Sequence, residues 1–581
     1  MFVNCSGATC WVLNSDRMQR IAGGSVADGG TSAATGRMAA IGGHGRNRNS
    51  NRDLRRHLQE TMASSELEPY EVVLLRRSSS GELTEHSVPI ILIHEVCWYL
   101  HQNNQMACLA PSCEALQEYW SNVSSTCWFQ EHPHKQCAID NPGLCWPLRL
   151  WGDDAAISKR KQLYCLTWSS AVCLKLASMI SRFLFLAVPI HTYLSLDPLI
   201  DVLIWDVGLL AHGFMPDCRH DMQPFASKAR LKRVGKTIMG GVKAILSEFT
   251  GDLKFLVETF AFEQFHGTQE ACFHCFGTKF PGELGIYDFR CSSGWSLTKR
   301  LHSVYMARIG KNLRITHVPG WHLTLVFFDC MHSLHLGALP IVCGSSMYAL
   351  LMLNWFEGPV GGSWKHRFSV QLRSAWLQFQ AFNAEHRVRT SQGPFTTARL
   401  TLQNLSDPPI LKGKAADNFI VLRFLFFVFL QVVRTHPTDE NSLIASVIWG
   451  WLRIIDVCEA APMFLNESQK NEIEIARSAA LLSHQRLSNN AIANGSQLWR
   501  CIPKLHYLDH MLRGGCEHSV SSASPAPFRN PIHGWCFADE DFIGRVARIA
   551  RRSSNMSNLV HRYLLRLHLM VERESISAPQ L

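Results

Sequence analysis

Three acidic residues stand at places from which a chain can present them to a shared pair of metal ions. Asp153 and Asp252 each follow a glycine at the end of an apolar, strand-like run, and Glu540 opens a segment of helical character. Breaking and joining phosphodiesters calls for two divalent ions about 3.5–4 Å apart on hard oxygen ligands, one activating the attacking oxygen and the other stabilising the leaving one. Three convergent carboxylates supply such ligands, and strand ends and a helix start are rigid mounts for them. Asp154 competes with Asp153 for the first position. Taken singly, each acid reads equally well as a cap or a surface charge. Asp539, Glu540 and Asp541 together suit the positive end of a helix, and Asp539 suits its N-cap.

A second set of side chains lies between these acids. Cys272 and Cys275 form a CxxC soon after Asp252, and His506 and His510 form an HxxxH shortly before Glu540. Two thiolates and two imidazoles complete a tetrahedral zinc set, and histidines four apart share one face of a helix. A closed site of four protein ligands is structural, so Zn2+ here would tie together two distant parts of the chain. Each half alone also suits buried thiols or an ordinary helix surface.

The elements needed to carry these groups are visible as periodicity. Leu144, Trp146, Leu148 and Leu150 alternate as a strand that should end at Trp151-Gly152-Asp153-Asp154. Pro147 inside the run argues for an edge or irregular strand. Further β-like runs cover Leu163–Trp168, Arg182–Val188 and Val242–Phe249, the last ending at Thr250-Gly251-Asp252. Helical texture follows over Trp376–Arg387, Ala415–Arg434 and Glu467–Gln485, with a last basic helix after Asp539. There Arg545, Arg548, Arg551, Arg552, Arg562 and Arg566 accumulate, with Val546 and Ile549 as an apolar side. Arg545, Arg548 and Arg552 are the candidate DNA contacts, because arginines beside carboxylate-bound metal suit phosphates; a plain solvated basic face is the competing reading.

Composition sets the outer limits. A 581-residue chain with 47% hydrophobic and 18% charged residues can bury a large core, and it is too apolar for disorder throughout. Its net charge of +10 favours polyanionic partners, and Arg37, Arg46, Arg48, Arg52, Arg55 and Arg56 concentrate part of that charge near the start. Residues 1–65, rich in Gly, Ser, Ala, Arg and Asn, are expected to be a disordered basic segment, with ordered structure from near residue 85. Twenty cysteines without framework spacing, and a start lacking the regions of a secretory leader, suit reduced thiols in an intracellular compartment. Phe183–Trp205 is interrupted by Pro189, His191, Asp197 and Asp201, and Phe419–Val433 contains Arg423, so neither makes a clean membrane span. The second reads as a buried helix.

The order acid, acid, CxxC, long helical stretch, HxxxH, glutamate resembles eukaryotic cut-and-paste transposases, above all the CACTA-like (EnSpm or CMC) group of DDE enzymes. The hAT transposases and the recombination-activating recombinase are more distant likenesses. The resemblance covers roughly residues 140–570 and rests on Trp151-Gly152-Asp153-Asp154-Ala155, Thr250-Gly251-Asp252-Leu253-Lys254-Phe255, Cys272–Cys275, Phe328-Asp329-Cys330-Met331-His332-Ser333-Leu334-His335-Leu336-Gly337, Pro503-Lys504-Leu505-His506 and Asp539-Glu540-Asp541-Phe542-Ile543-Gly544-Arg545. It implies an α/β protein whose RNase H-like catalytic core is interrupted by a large, mainly α-helical insertion tied by a zinc site. The implied division is a region of unclear fold at 66–140, core at 141–260, insertion at 261–515, core again at 516–570 and a tail at 571–581. It further implies Asp153, Asp252 and Glu540 as ligands of Mg2+ (or Mn2+), and Cys272, Cys275, His506 and His510 as ligands of a structural Zn2+. The Asp329-Cys330-Met331-His332 stretch, with His335 and Gly337, resembles one in CACTA-like enzymes and on that likeness reads as a further metal or DNA contact, while polar residues satisfying a helix junction explain Asp329 and His332 equally well. The expected partners are DNA, both transposon ends and target, in a homodimer or larger synaptic assembly in the nucleus, with no membrane. An inert transposon-derived DNA-binding protein and a zinc-stabilised interaction protein are the alternatives.

Overall fold

The structure, a computed structural model, describes residues 67–577 apart from 79, 159–160, 174–175, 263–268, 360, 515–527 and 554. The basic segment expected at 1–65 lies outside the described residues. Regular structure begins earlier than residue 85: β1 (Tyr70–Arg77) and β2 (Leu83–Ile90) form an antiparallel hairpin. Along β1 the exposure alternates, with Tyr70, Val72 and Leu74 buried, which is the pattern of a half-buried sheet whose other face meets water. The helices α1 (Ile93–Gln102) and α2 (Cys113–Val123) follow and complete the region whose fold the sequence left open.

The central sheet consists of β3 (Cys145–Ser158), β4 (Lys161–Ser170), β5 (Phe183–Pro189) and β6 (Lys243–Gly251), in the order β5-β4-β3-β6. The first three strands run antiparallel in succession, and β6 joins β3 in parallel after a crossover that contains α3 (Asp197–His212). Buried on both faces, β5 is continuously apolar, and β6 is apolar or small-polar except for Lys243 at its start and the ion-paired Glu248.

Two details of β3 depart from expectation. The strand does not end at Asp153 but continues to Ser158, because β4 remains paired with it past Asp153↔Cys165. What ends at the acids is the parallel ladder to β6, whose last pair is Gly152↔Gly251. And β3 is internal, in spite of Pro147. That proline faces Ile245 of β6, whereas the β4 ladder starts only at Leu148↔Ser170, so the residue lacking an N–H sits where a strand flanks one side alone.

Beyond the sheet the chain is mainly helical: α4 (Leu253–Thr259), α5 (Leu339–Met352), α6 (Trp364–Glu385), α7 (Ala415–Thr435), α8 (Asp439–Ala460), α9 (Glu467–Ala493), α10 (Pro503–Leu512), α11 (Phe537–Ala550) and α12 (Met556–Ser577). Helix α6 starts well before Trp376, at the Ser363 N-cap whose side chain accepts from the His366 N–H. Asn466 and Gln469 form a reciprocal capping box that starts α9. A π-helical turn over Met331–Ala338 leads into α5. By length and composition two helices, Met331–Met352 and Ala415–Thr435, could cross a membrane, but 83% and 56% of their most apolar windows are buried inside the protein. In the second, Arg423 reaches Asp456 of α8 at 3.3 Å. Every cysteine among the described residues is a free thiol.

Candidate metal centre and acidic site

The parallel pairing of β3 with β6 brings the two aspartates together. Gly152 and Gly251 are the last paired residues, so Asp153 and Asp252 follow the end of this ladder at the same level, in a sheet whose strands lie about 4.8 Å apart. The glycine before each aspartate has a physical reason. A Cβ on Gly152 would meet the Phe255 ring at 1.9 Å, and one on Gly251 would meet the Gly152 carbonyl oxygen at 2.6 Å and the same ring at 2.8 Å. Phe255, in the first turn of α4, packs flat under both strand ends, and its N–H donates to Asp252 Oδ1 at 2.6 Å. Asp252 is therefore also the N-cap of α4. The cap occupies one carboxylate oxygen and leaves the other for a further ligand.

Glu540 arrives from α11, which packs across β3. Its anchor is the preceding residue. Asp539, wholly buried, accepts from Arg149 of β3 at 2.9 Å and from Arg182 at 3.3 Å, while Arg149 also lies 3.5 Å from Glu248 of β6 and Glu248 takes a second partner in Arg529. Asp539 is thus not the helix N-cap that its position suggested. That place belongs to Cys536, which makes no side-chain cap bond. Removing either partner from such a buried network typically destabilises by about 3–5 kcal/mol, since an uncompensated charge is left behind.

The three acids feel one another strongly. Burial first, then the nearby Asp252 and Glu540 carboxylates, push Asp153 up to about 8, and Glu540 is likewise raised, chiefly by burial, with a hydrogen bond to Asp153 opposing the shift. Among the described residues, the ligand oxygens of Asp153, Asp252 and Glu540 do not all lie within 4.8 Å of one another. Asp154 is separated from this group. Its side chain pairs with Lys254, and its N–H donates to Asp153 Oδ1 at 2.6 Å.

Asp329 and His332 border the same site. Asp329 accepts from the Met331 N–H at 2.8 Å and from Cys536 Sγ at 2.7 Å, and its other contact is a very short bond to His332 Nδ1. The far nitrogen of His332 lies 3.6 Å from Glu540 Oε1. Burial alone would lower the His332 pKa, yet bonding to Asp329 and the pull of Glu540 raise it. The segment joins a helix junction, as one reading has it, and places His332 beside Glu540.

The thiols and imidazoles form the more compact cluster. Cys272, Cys275, His506 and His510 present ligand atoms all within 4.8 Å of one another. Cys272 Sγ lies 3.5 Å from His510 Nε2, and Cys275 Sγ lies 3.4 Å from His506 Nε2 and 3.3 Å from His510 Nε2. Zn–S bonds of about 2.3 Å and Zn–N bonds of about 2.0–2.1 Å, set at tetrahedral angles, give S···N edges of about 3.5 Å. Backbone N–H groups of His274 and Gly277 donate to the two sulfurs, each at 3.3 Å. Gly277 makes room for this turn, since a Cβ there would meet Ile286 at 2.7 Å and Cys275 Sγ at 3.2 Å. Trp295 covers both imidazoles, with ring centroids at 4.3 and 4.9 Å. Despite burial, hydrogen bonds from Cys275 and the histidines hold the Cys272 thiol well below its ordinary value. Only the two helical histidines and the knuckle cysteines contribute; His274 turns away to the Val326 carbonyl.

The arginines of the last two helices form a patch. Val546 and Ile549 are buried, as the apolar side requires, while Arg548 and Arg552 are exposed and Arg545 pairs with Asp541 at 2.9 Å. Arg551 is used structurally, donating to the Ile157 and Ala156 carbonyls at the end of β3. Arg566 of α12 lies among Arg545, Arg548, Arg552 and Arg562, and burial together with these four charges lowers its pKa to about 10.

Sequence reasoning assigned no role to Arg149, Arg182, Glu248 or Cys536. The available signal was Arg149, a charge inside an otherwise apolar strand run, which only a buried partner would tolerate. No known protein family, curated protein or solved structure matches this chain.

Proposed function

We propose that the chain is a DDE-type DNA transposase, most similar to the CACTA-like group, that carries out metal-dependent DNA strand cleavage and strand transfer. The observation that carries this reading is the in-register end of the β3/β6 ladder, where Asp153 and Asp252 emerge side by side beneath Glu540. Three antiparallel strands followed by a parallel fourth, with acids on the first and fourth strands and a third acid on a later helix, are the features expected of an RNase H-like core. The helical region between Asp252 and Glu540 is read as its insertion.

Asp153, Asp252 and Glu540 would hold two Mg2+ (or Mn2+) ions, which when bound supply activation of the attacking oxygen and neutralisation of the leaving one. Water adds to phosphorus and loses a proton as the 3′-oxygen departs and takes one up; the freed 3′-hydroxyl then adds to a phosphorus of a second strand, losing its proton as that strand's 3′-oxygen departs and is protonated. His332, clamped by Asp329, orients Glu540. Arg545 and Arg548 of α11 and Arg552 just beyond its end, gathered with Arg562 and Arg566, would address backbone phosphates. Cys272, Cys275, His506 and His510 fit a structural Zn2+ by donor set and by S···N separation. DNA is the expected partner, in a homodimer or larger assembly able to join two ends, and the nucleus is the expected location.

The test is relaxation of supercoiled plasmid in Mg2+. Nicking by the wild type that disappears in Asp252→Asn and Glu540→Gln supports the enzyme. A wild type that binds DNA in a salt-sensitive way but never nicks it sinks the catalytic reading and leaves a DNA-binding protein.

A further inference from the structure

Helix α10 carries two rows of side chains with different destinations. His506 and His510 turn to the cysteines. Lys504 and Tyr507, three residues apart and so on one face, line a pocket beside the acids together with Asp252, Lys254, Asp329 and His332. The two lysines of this pocket differ. The Lys254 ammonium is committed to Asp154, with Glu258 at 3.9 Å. Lys504 lies within electrostatic reach of Asp252, Asp329 and His332 but has no hydrogen-bond or ion-pair partner among the described residues.

Room has been made for the stem of Lys504. A Cβ on Gly337 would meet Lys504 Cδ at 2.7 Å and Cβ at 3.2 Å, so any side chain at 337 would push the lysine out of its groove. Tyr507 beside it is fixed, its ring stacked on Phe328 at 4.4 Å and its hydroxyl donating to the Ala271 carbonyl at 2.9 Å. Asp252 spends one oxygen on its helix cap and Asp329 is held by His332, Cys536 and a backbone N–H, which leaves three ammonium donors facing the pocket without a protein acceptor. An ammonium in that position matches an anionic oxygen brought in from outside.

We propose that Lys504 is a phosphate ligand of the acidic site, contacting a non-bridging oxygen of the phosphodiester held against Asp153, Asp252 and Glu540. The inference rests on the DNA-cleaving reading for the identity of that anion. It also gives the cysteine–histidine cluster a purpose in that reaction: the residues that fix His506 and His510 fix the helix turn that aims Lys504.

The test uses the full chain with Ca2+ in place of Mg2+ and a short labelled DNA duplex, with affinity read by fluorescence anisotropy across a salt series and zinc content read by chelator-induced release. Lys504→Gln should weaken Ca2+-dependent binding about tenfold and reduce the slope of log affinity against log salt by about 1, with zinc content unchanged. Lys504→Arg, which keeps charge and reach, should retain most of the affinity. Binding by Lys504→Gln with wild-type affinity and slope overturns the proposal while leaving the DNA-cleaving reading intact, provided Asp252→Asn loses the Ca2+-dependent component. A wild type that binds no DNA overturns both. Loss of zinc in both Lys504→Gln and Lys504→Arg assigns the residue to packing and also overturns the proposal.

Discussion

The two clusters solve opposite problems with different kinds of side chain. The cysteine–histidine site is closed: four donors within 4.8 Å of one another, sulfurs satisfied by backbone N–H groups, a tryptophan over the top. The acidic site is open and electrostatically unfavourable, with like charges driven together and Asp153 pushed up to about 8 by burial and its neighbours. A closed, satisfied site stabilises a fold. A site that repels itself when empty is arranged for ligands that come and go.

The largest expected effect breaks the closed site. Cys275→Ser should abolish cooperative folding of the helical region or lower its melting temperature by tens of degrees, because structural zinc contributes roughly 10–16 kcal/mol of binding energy in small zinc modules. Thermal unfolding with and without a strong chelator checks this; an unchanged melting curve would remove zinc from the account.

Next comes the link between the sheet and α11. Arg149→Met leaves Asp539 with Arg182 and Glu248 with Arg529 in the interior, each short of one partner, and the expected loss is about 3 kcal/mol in urea unfolding, together with displacement of Glu540. Arg149→Lys should recover only part of it, since one ammonium cannot serve both carboxylates as a guanidinium does.

The open site should respond in the opposite direction. Asp153→Asn should stabilise the metal-free protein by on the order of 2 kcal/mol, by removing an acid whose ionisation the fold disfavours. Added Mn2+ should then stabilise the wild type and not the variant. A variant less stable than the wild type without metal would show that Asp153 is structural.

The last effect concerns two buried histidines that neither cluster uses as a ligand. Burial lowers His335 and His484 to about 4, below the ordinary value of 6.5. Because the unfolded chain takes up these protons first, stability is full above about pH 6.5 and declines as pH falls toward 4, by about 1.4 kcal/mol per pH unit for each histidine. His484→Gln should flatten the decline of the urea midpoint between pH 6.5 and 5; an equally steep decline would show that other groups dominate.

Much of this contrast could be read from sequence, because its carriers are local. Glycine before aspartate, CxxC and HxxxH are short patterns whose geometry their own backbones largely fix, and β4, β5 and β6 lie close to the runs their apolar residues marked. What sequence could not give depends on pairing between distant segments. The extension of β3 to Ser158 is owed to β4, the tolerance of Pro147 to where the β4 ladder begins, and the role of Asp539 to arginines at positions 149 and 182. The same holds for Asp153 against Asp154: adjacent in sequence, they are told apart only by Lys254 on one side and Glu540 on the other. The first regular strand, β1, was missed because its outward face carries the charges that made the segment look like a continuation of the polar start.

The measurement that bears most directly on this contrast is an electron paramagnetic resonance titration of the zinc-loaded protein with Mn2+. The account predicts two Mn2+ per chain with the exchange-coupled spectrum of a close pair, lost in Asp252→Asn and in Glu540→Gln while zinc content stays unchanged. Absence of bound Mn2+, or binding that neither substitution alters, would contradict it.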